Sequence, residues 1–169
     1  MRGRIIYITG LSGSGKTTIA KHLQNKIPNS ILLDGDEVRQ SVSKDLGFCI
    51  RDKRENIRRN NELIKLLSDQ GFVVICAFMA SIPEERNKLF TEREVLSVQL
   101  TTPLEVCRSR DTKGLYKHYI ENLSGVSLPY TPLENPSLSL DTSVVSLIDC
   151  VDSIKVVYEE HIRVRVCEE

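Results

Sequence analysis

The sequence predicts an α/β fold, a three-layer sandwich with a parallel five-stranded sheet at its centre and helices on both faces. Short β-branched or apolar runs alternate with longer stretches of helical periodicity, the rhythm of repeated strand–helix–strand units. One run, Phe72–Phe78, is apolar throughout, as a central strand covered on both faces must be. The length of 169 residues suits one domain around one core, so 1–169 is read as a single unit.

The first strand is Ile5–Thr9, followed by a glycine-rich turn and a helix over Lys16–Lys26. Ser30–Leu33 is the second strand; it leads into a short helix at Asp36–Val42 and then a long one over about 53–70. Phe72–Phe78 is the third strand, Val95–Leu100 the fourth, and Ser137–Leu140, the weakest pattern, the fifth. Helices over Pro83–Thr91 and Pro103–Ser109 link the later strands. The last helix, about 146–162, offers Ile148, Val151, Ile154 or Lys155, and Tyr158 on one face at steps of three to four. Beyond it, 162–167 alternates apolar and basic residues, a pattern open to an edge strand, a partner contact or a frayed end. Between 113 and 136 periodicity lapses while Gly114, Gly125, Pro129, Pro132 and Pro136 accumulate. A loop this long in a compact domain is usually functional, and about 110–136 is read as a lid.

Hydrophobic residues make up 40% and charged residues 27%, and Lys+Arg 23 balances Asp+Glu 23. That profile excludes a disordered chain and supplies no global field to hold nucleic acid or a membrane surface, so any anion site must be local. The longest apolar stretch, Phe72 to Ala80, is nine residues, where a membrane span needs about 20. Ile5–Ile8 after a basic start is too short for a signal sequence, and cleavage there would part the glycine motif from its strand. A cytoplasmic protein is expected. The five cysteines, Cys49, Cys76, Cys107, Cys150 and Cys167, are scattered and never form C-x-x-C, which suggests inert thiols rather than disulfides or a zinc site.

Gly10-Leu11-Ser12-Gly13-Ser14-Gly15-Lys16-Thr17 fits G-x-x-x-x-G-K-[ST], between a strand and a helix as that motif requires. Glycines let the backbone curl until successive N–H groups, here of Ser12 to Thr18, face phosphate oxygens, and the helix adds its positive end. Lys16 is then placed to bridge the β- and γ-phosphates of ATP, and the Thr17 hydroxyl to hold Mg²⁺. The fold class narrows to a P-loop NTPase sandwich.

Two classes weaken. A motor ATPase needs a carboxylate closing a later strand, but Phe72–Phe78 continues as Met79-Ala80-Ser81; a GTPase needs N-K-x-D, but Asn87-Lys88-Leu89-Phe90 lacks the aspartate. Carboxylates stand instead after the second strand, in Asp34-Gly35-Asp36, on the edge that faces the ligand crevice. One can order the magnesium shell while the other takes a proton from an attacking hydroxyl; either could instead be a helix N-cap. Arg39, one turn on, can grip an anionic acceptor. In the run Arg51–Arg59, Asn56 shares the apolar side with Ile57 and needs a partner, which suggests a substrate role, whereas Arg54 and Arg59 read as surface. Arg110 and Lys113 open the lid with cations suited to a transferring phosphate. His22 and His161 read as surface or packing residues, His118 in the lid is open to a phosphate contact, and Tyr116 and Tyr130 read as anchors of the lid or core.

Together these motifs resemble the adenylylsulfate (adenosine 5′-phosphosulfate, APS) kinases. The resemblance rests on Gly10–Thr18, Leu33–Arg39, Asp45–Phe48, Glu55–Arg59, Arg110–Tyr116, Pro129-Tyr130 and Pro132–Pro136. It implies transfer of the ATP γ-phosphoryl to a ribose 3′-hydroxyl, with Mg²⁺, by a homodimer acting on a small nucleotide. Asp36 would be the general base, Asp34 a magnesium-shell carboxylate, Lys113 the lid cation, and Ser12 to Thr18 with Arg110 the ATP contacts. Arg39, Asn56 and Lys53 would be acceptor ligands beside Gly114 and Leu115, with Phe48 stacked on the acceptor base.

Departures fall on the acceptor side. Asp52-Lys53 stands where the family has D-R, exchanging a flat bidentate group for a point charge. Leu123-Ser124-Gly125 stands where F-T-G supplies a second aromatic, and Met79-Ala80-Ser81 where the family has I-S-P. APS is the expected acceptor. The alternatives are another nucleotide, such as cytidine diphosphoramidate in capsule modification, and a nucleotide-binding regulatory domain without turnover.

Overall fold

The computed structural model describes residues 3–111, 113–117 and 125–166. Its elements are β1 (Ile5–Thr9), α1 (Lys16–Gln24), β2 (Ser30–Asp34), α2 (Gly35–Gln40), α3 (Ile50–Asp69), β3 (Val73–Ala77), α4 (Pro83–Glu92), β4 (Val95–Leu100), α5 (Leu104–Ser109), β5 (Leu138–Leu140) and α6 (Leu147–Val166). The strands form one sheet in the order β2-β3-β1-β4-β5, and every pairing is parallel. β1 lies at the centre, with Ile5 in register with Val74 on one side and Val95 on the other.

Successive strand side chains point to opposite faces, and β1 displays this directly. Ile6 and Ile8 join Ile75, Val98 and Leu100 under α1 and α6, against Ile19, Leu23, Val151 and Ile154. Ile5 and Tyr7 join Val74 and Cys76 on the other face, against Val38 of α2, Ile64 of α3 and Leu89 of α4. Tyr7 meets Phe90 edge-on, with ring centroids 5.3 Å apart. The sandwich is therefore the expected one, with the loops after β1 and β2 opening on a single edge.

The last helix corrects two expectations. Its buried face is Cys150, Val151 and Ile154 with Leu147, Val157 and Tyr158 packed beside them, while Ile148 is 69% exposed. The expected stripe holds at Val151, Ile154 and Tyr158 and fails at Ile148, where Leu147 and the small apolar Cys150, which a count of large hydrophobics passes over, take the core positions. The tail then continues as helix to Val166 rather than as an edge strand. Truncating Ile154, fully buried, to Ala is expected to cost about 2–5 kcal/mol, read as a lower urea midpoint with the slope unchanged.

Candidate active site

After Thr9 the chain leaves the sheet and curls over the N-terminus of α1. Gly13 and Gly15 have φ of 80° and 97°, a region that glycine alone enters freely. At Gly13 space makes the same demand, since a Cβ would lie 2.6 Å from the Cys107 carbonyl oxygen of α5. Lys16 Nζ folds back under the loop and donates to the Gly10 carbonyl (2.9 Å) and the Leu11 carbonyl (2.7 Å). Burial lowers its amine to about 8, and the positive Lys113 pushes the same way. Ser12 is half-buried, Ser14 buried and Thr18 exposed on the first turn of α1. The Ser14 hydroxyl has no hydrogen-bond partner.

Thr17 Oγ1 donates to Asp34 Oδ2 at 2.6 Å, joining α1 to the end of β2. Asp34, 4% exposed, also accepts from the Asp36 backbone N–H through Oδ1 at 2.9 Å. The cap and the magnesium-side carboxylate, rival readings of one residue, are thus compatible: each oxygen has its own task. Asp36 projects from the first turn of α2, and Lys113 of the lid donates to its carboxylate. The pair is about half exposed. Among the described residues no cluster of three or more His, Cys, Asp or Glu stands ready to hold a metal. A divalent ion here would rest on Thr17 and Asp34 and otherwise on water and phosphate oxygens, the sparse protein coordination typical of Mg²⁺.

The described start of the lid is held at several points. Asp111 accepts the Leu115 and Tyr116 N–H groups on its two oxygens at 2.9 and 2.8 Å, and Gly114 turns at φ 68°. The Tyr116 hydroxyl donates to the Ser12 carbonyl at 2.8 Å, tying the lid to the glycine loop. Arg110 donates to Thr142 Oγ1 and to the Thr142 carbonyl at 2.7 and 2.8 Å, and Thr142 Oγ1 donates to the Ser14 carbonyl at 2.9 Å. Leu123 and His118 lie outside the described residues.

Farther along, buried Gln99 donates through Nε2 to the Tyr130 hydroxyl at 3.1 Å and accepts the Leu133 N–H at 2.9 Å. Arg86, 2% exposed, donates to the Thr131 carbonyl at 3.0 Å and the Pro132 carbonyl at 3.4 Å. Thr142, Gln99 and Arg86 are site supports that sequence reasoning missed. Gln99 carries an advance signal, a polar residue inside the largely apolar β4; Arg86 in the charged α4 and Thr142 in the turn after β5 carry none.

At the acceptor end, Arg39 Nη1 donates to the Gly47 carbonyl at 2.6 Å, and its guanidinium carbon stands 4.7 Å from the centre of the Phe48 ring. Phe48 is 67% exposed. Burial lowers Lys53, and the positive Arg39 beside it lowers it further. Asp52 is the countercharge beside Arg39 and raises it against the lowering by burial. The Asn56 Oδ1 is buried without a partner, as are those of Asn60 and Asn61. Arg59, expected at the surface, is only a quarter exposed and engages Asp45 and Glu55. A groove of about 450 Å³ between α3 and α4, lined by Ile50, Arg54, Arg58 and Lys88 among others, contains none of the cradle residues.

A model of the adenylylsulphate kinase family matches residues 2–141. The chain belongs to that family. It is 42% identical over 161 residues to the adenylyl-sulfate kinase of Marinobacter nauticus, covering 89% of this chain and 81% of that one. To the adenylyl-sulfate kinase of Shewanella pealeana it is 40% identical over 177 residues, covering 94% and 86%. The structure of the Mycobacterium tuberculosis APS kinase in complex with AMPPNP and APS superposes with a TM-score of 0.87 at 32% identity, covering 94% of this chain and 98% of that one. The family match takes in the glycine loop, the Asp34–Asp36 turn, the Phe48 loop and the lid, and ends at Asp141, before the Thr142 that supports the loop. No helix among the described residues is long and apolar enough to cross a membrane.

Proposed function

We propose that this chain transfers the γ-phosphoryl group of ATP to the ribose 3′-hydroxyl of APS, giving the 3′-phosphorylated product and ADP. The observation that carries the reading is the Asp36 carboxylate, two residues beyond the Asp34 that holds Thr17 and in contact with the lid's Lys113. A carboxylate, a glycine-rich cradle and the Lys113 cation meet there on one edge of the sheet, and the relatives named above carry that activity in their names.

In this reading the backbone of Ser12, Gly13, Ser14, Gly15 and Thr18 receives the ATP phosphates, Lys16 spans the β- and γ-phosphates, and Arg110 borders the donor nucleotide. Thr17 and Asp34 hold Mg²⁺, which neutralises charge on the phosphates when bound. Asp36 accepts the proton of the 3′-hydroxyl as its oxygen forms the new bond to phosphorus and the bond from phosphorus to the ADP oxygen breaks. Lys113 then exchanges Asp36 for the transferring phosphoryl oxygens. The acceptor base stacks on Phe48, with Arg39, Lys53 and Asn56 on its anionic and ribose groups and Gly114 and Leu115 closing above; Leu123, outside the described residues, stays a candidate from the sequence alone. A homodimer of twice the 19.1 kDa chain mass, acting in the cytoplasm where ATP is available, completes the proposal.

Lys53 and Leu123, the substitutions on the acceptor side, favour a second reading in which a pyrimidine nucleotide replaces APS. ADP release should be measured with Mg²⁺-ATP against APS, CDP-type and UDP-type acceptors, and the product checked for a 3′-phosphate. APS is expected to lead by at least about tenfold, the scale of one base–aromatic stack. A lead for cytidine or uridine acceptors would transfer the chain to the second reading, and ADP release with no acceptor dependence would sink both.

A further inference from the structure

We infer that Arg59 is a positioning residue that staples the acceptor loop, holding Phe48 and the carbonyl that orients Arg39 in their working places. The inference deepens the acceptor reading above and rests on it. The loop 41–49 links α2 to α3 and has no regular structure of its own beyond turns. Its backbone is anchored at both ends by neighbours: Ser43 N–H donates to the Val38 carbonyl at 3.0 Å, and Gly47 N–H to Asp52 Oδ2 at 2.8 Å.

Two arginines supply further holds, Arg39 through the Leu46 and Gly47 carbonyls at 3.4 and 2.6 Å and Arg59 through the first half of the loop. Arg59 Nη1 donates to the Val42 carbonyl at 3.0 Å and to Asp45 Oδ1 at 2.6 Å, while Nη2 donates to Asp45 Oδ2 at 2.9 Å. Its Nε donates to Glu55 Oε1 at 2.9 Å, and Arg58 clasps the same carboxylate at 2.7 and 2.9 Å. The planar guanidinium is thus fixed to α3 at one edge and grips the loop in a two-toothed fork at the other, a geometry that a lysine cannot reproduce. Two residues past Asp45, the Gly47 carbonyl takes Arg39, whose guanidinium lies over the Phe48 ring. A shift of the stapled loop therefore moves the stacking ring and the anion-binding arginine together.

The chain contains no tryptophan, so Phe48→Trp places a single fluorescent reporter on the loop. In that background Arg59→Gln and Asp45→Asn are expected to lower the fluorescence anisotropy of the reporter, and Arg58→Gln to leave it unchanged. With the native Phe48, Arg59→Gln and Asp45→Asn are expected to raise KM for the acceptor about tenfold, with kcat and KM for ATP within about twofold; Arg59→Lys should recover part of the loss. Asp45 is exposed in its loop, so its variant leaves the core intact and keeps the test open should Arg59→Gln unfold. Unchanged anisotropy would overturn the staple. Lowered anisotropy with an unchanged acceptor KM would also overturn the inference, by removing Phe48 from the acceptor site while leaving the staple as loop anchoring alone.

Discussion

Replacing Asp36 with Asn is expected to lower kcat by about 10²–10⁴-fold, the usual contribution of a positioned general base, while the affinity for ATP changes by less than about threefold. The separation follows from the geometry. Asp36 is on the first turn of α2 and its side chain faces Lys113, whereas the groups facing the phosphates come from the loop before α1. Asn keeps the size of the side chain and leaves the Asp34 cap on its backbone N–H intact, so α2 should not unravel. What is lost is the capacity to take a proton. The ion pair with Lys113 is itself about half exposed, and such pairs contribute about 0–1 kcal/mol. Its loss leaves the fold standing, and Lys113 can exchange partners at little cost. ADP release with saturating acceptor gives kcat, and calorimetric titration with a non-hydrolysable ATP analogue gives the affinity. Activity within about tenfold of the parent would remove Asp36 from the role of base.

What could be read ahead of the structure divides by the range over which residues act. β1, the glycine loop and α1 were legible because the strand, the turn and the helix are consecutive and each has its own signature. The boundaries agree closely there, with β1 at Ile5–Thr9 and α1 starting at Lys16. Asp34 was legible as the cap of α2, because a carboxylate at the end of a strand and before a helix is the residue type that caps. α6 was legible as a helix and at Val151, Ile154 and Tyr158 of its face, but not at Ile148, since Ile148 and Leu147 are adjacent in sequence and only the sheet decides which is buried.

The supports of the site were beyond reach for a different reason. Thr142 meets Ser14 across 128 positions and Arg86 meets Thr131 across 45. Each is a single polar side chain whose partner is a backbone carbonyl, and every residue carries a carbonyl, so the partner leaves no mark in the sequence. Arg59 was misjudged similarly: an i,i+4 match with Glu55 is what a solvated helix also presents, and only the fold brings Asp45 and the Val42 carbonyl to the other edge of its guanidinium.

Lys16 carries the second large effect and a pH dependence with a definite sign. Lys16→Ala is expected to lower kcat/KM for ATP by about 10²–10³-fold, as for other preorganised groups aimed at developing charge. The fold should survive, because the amine serves only the Gly10 and Leu11 carbonyls of its own loop. In the free protein burial lowers this amine to about 8, with Lys113 adding to the effect, so the cation is complete well below pH 8 and is lost as pH rises through that value. Phosphates favour the charged form, which means the bound enzyme retains its proton to higher pH and ATP binding above pH 8 takes up a proton. For the parent protein kcat/KM for ATP should therefore fall as pH rises through about 8, while kcat at saturating ATP stays flat to higher pH. Proton uptake on binding, measured by titration in two buffers of different ionisation enthalpy, should be larger at pH 8.5 than at pH 7. Lys16→Arg separates charge from placement: its guanidinium stays charged throughout this range, so the pH step in kcat/KM should vanish even where the activity is low. A step that persists in Lys16→Arg would assign it to another group and leave Lys16 charged in the free protein.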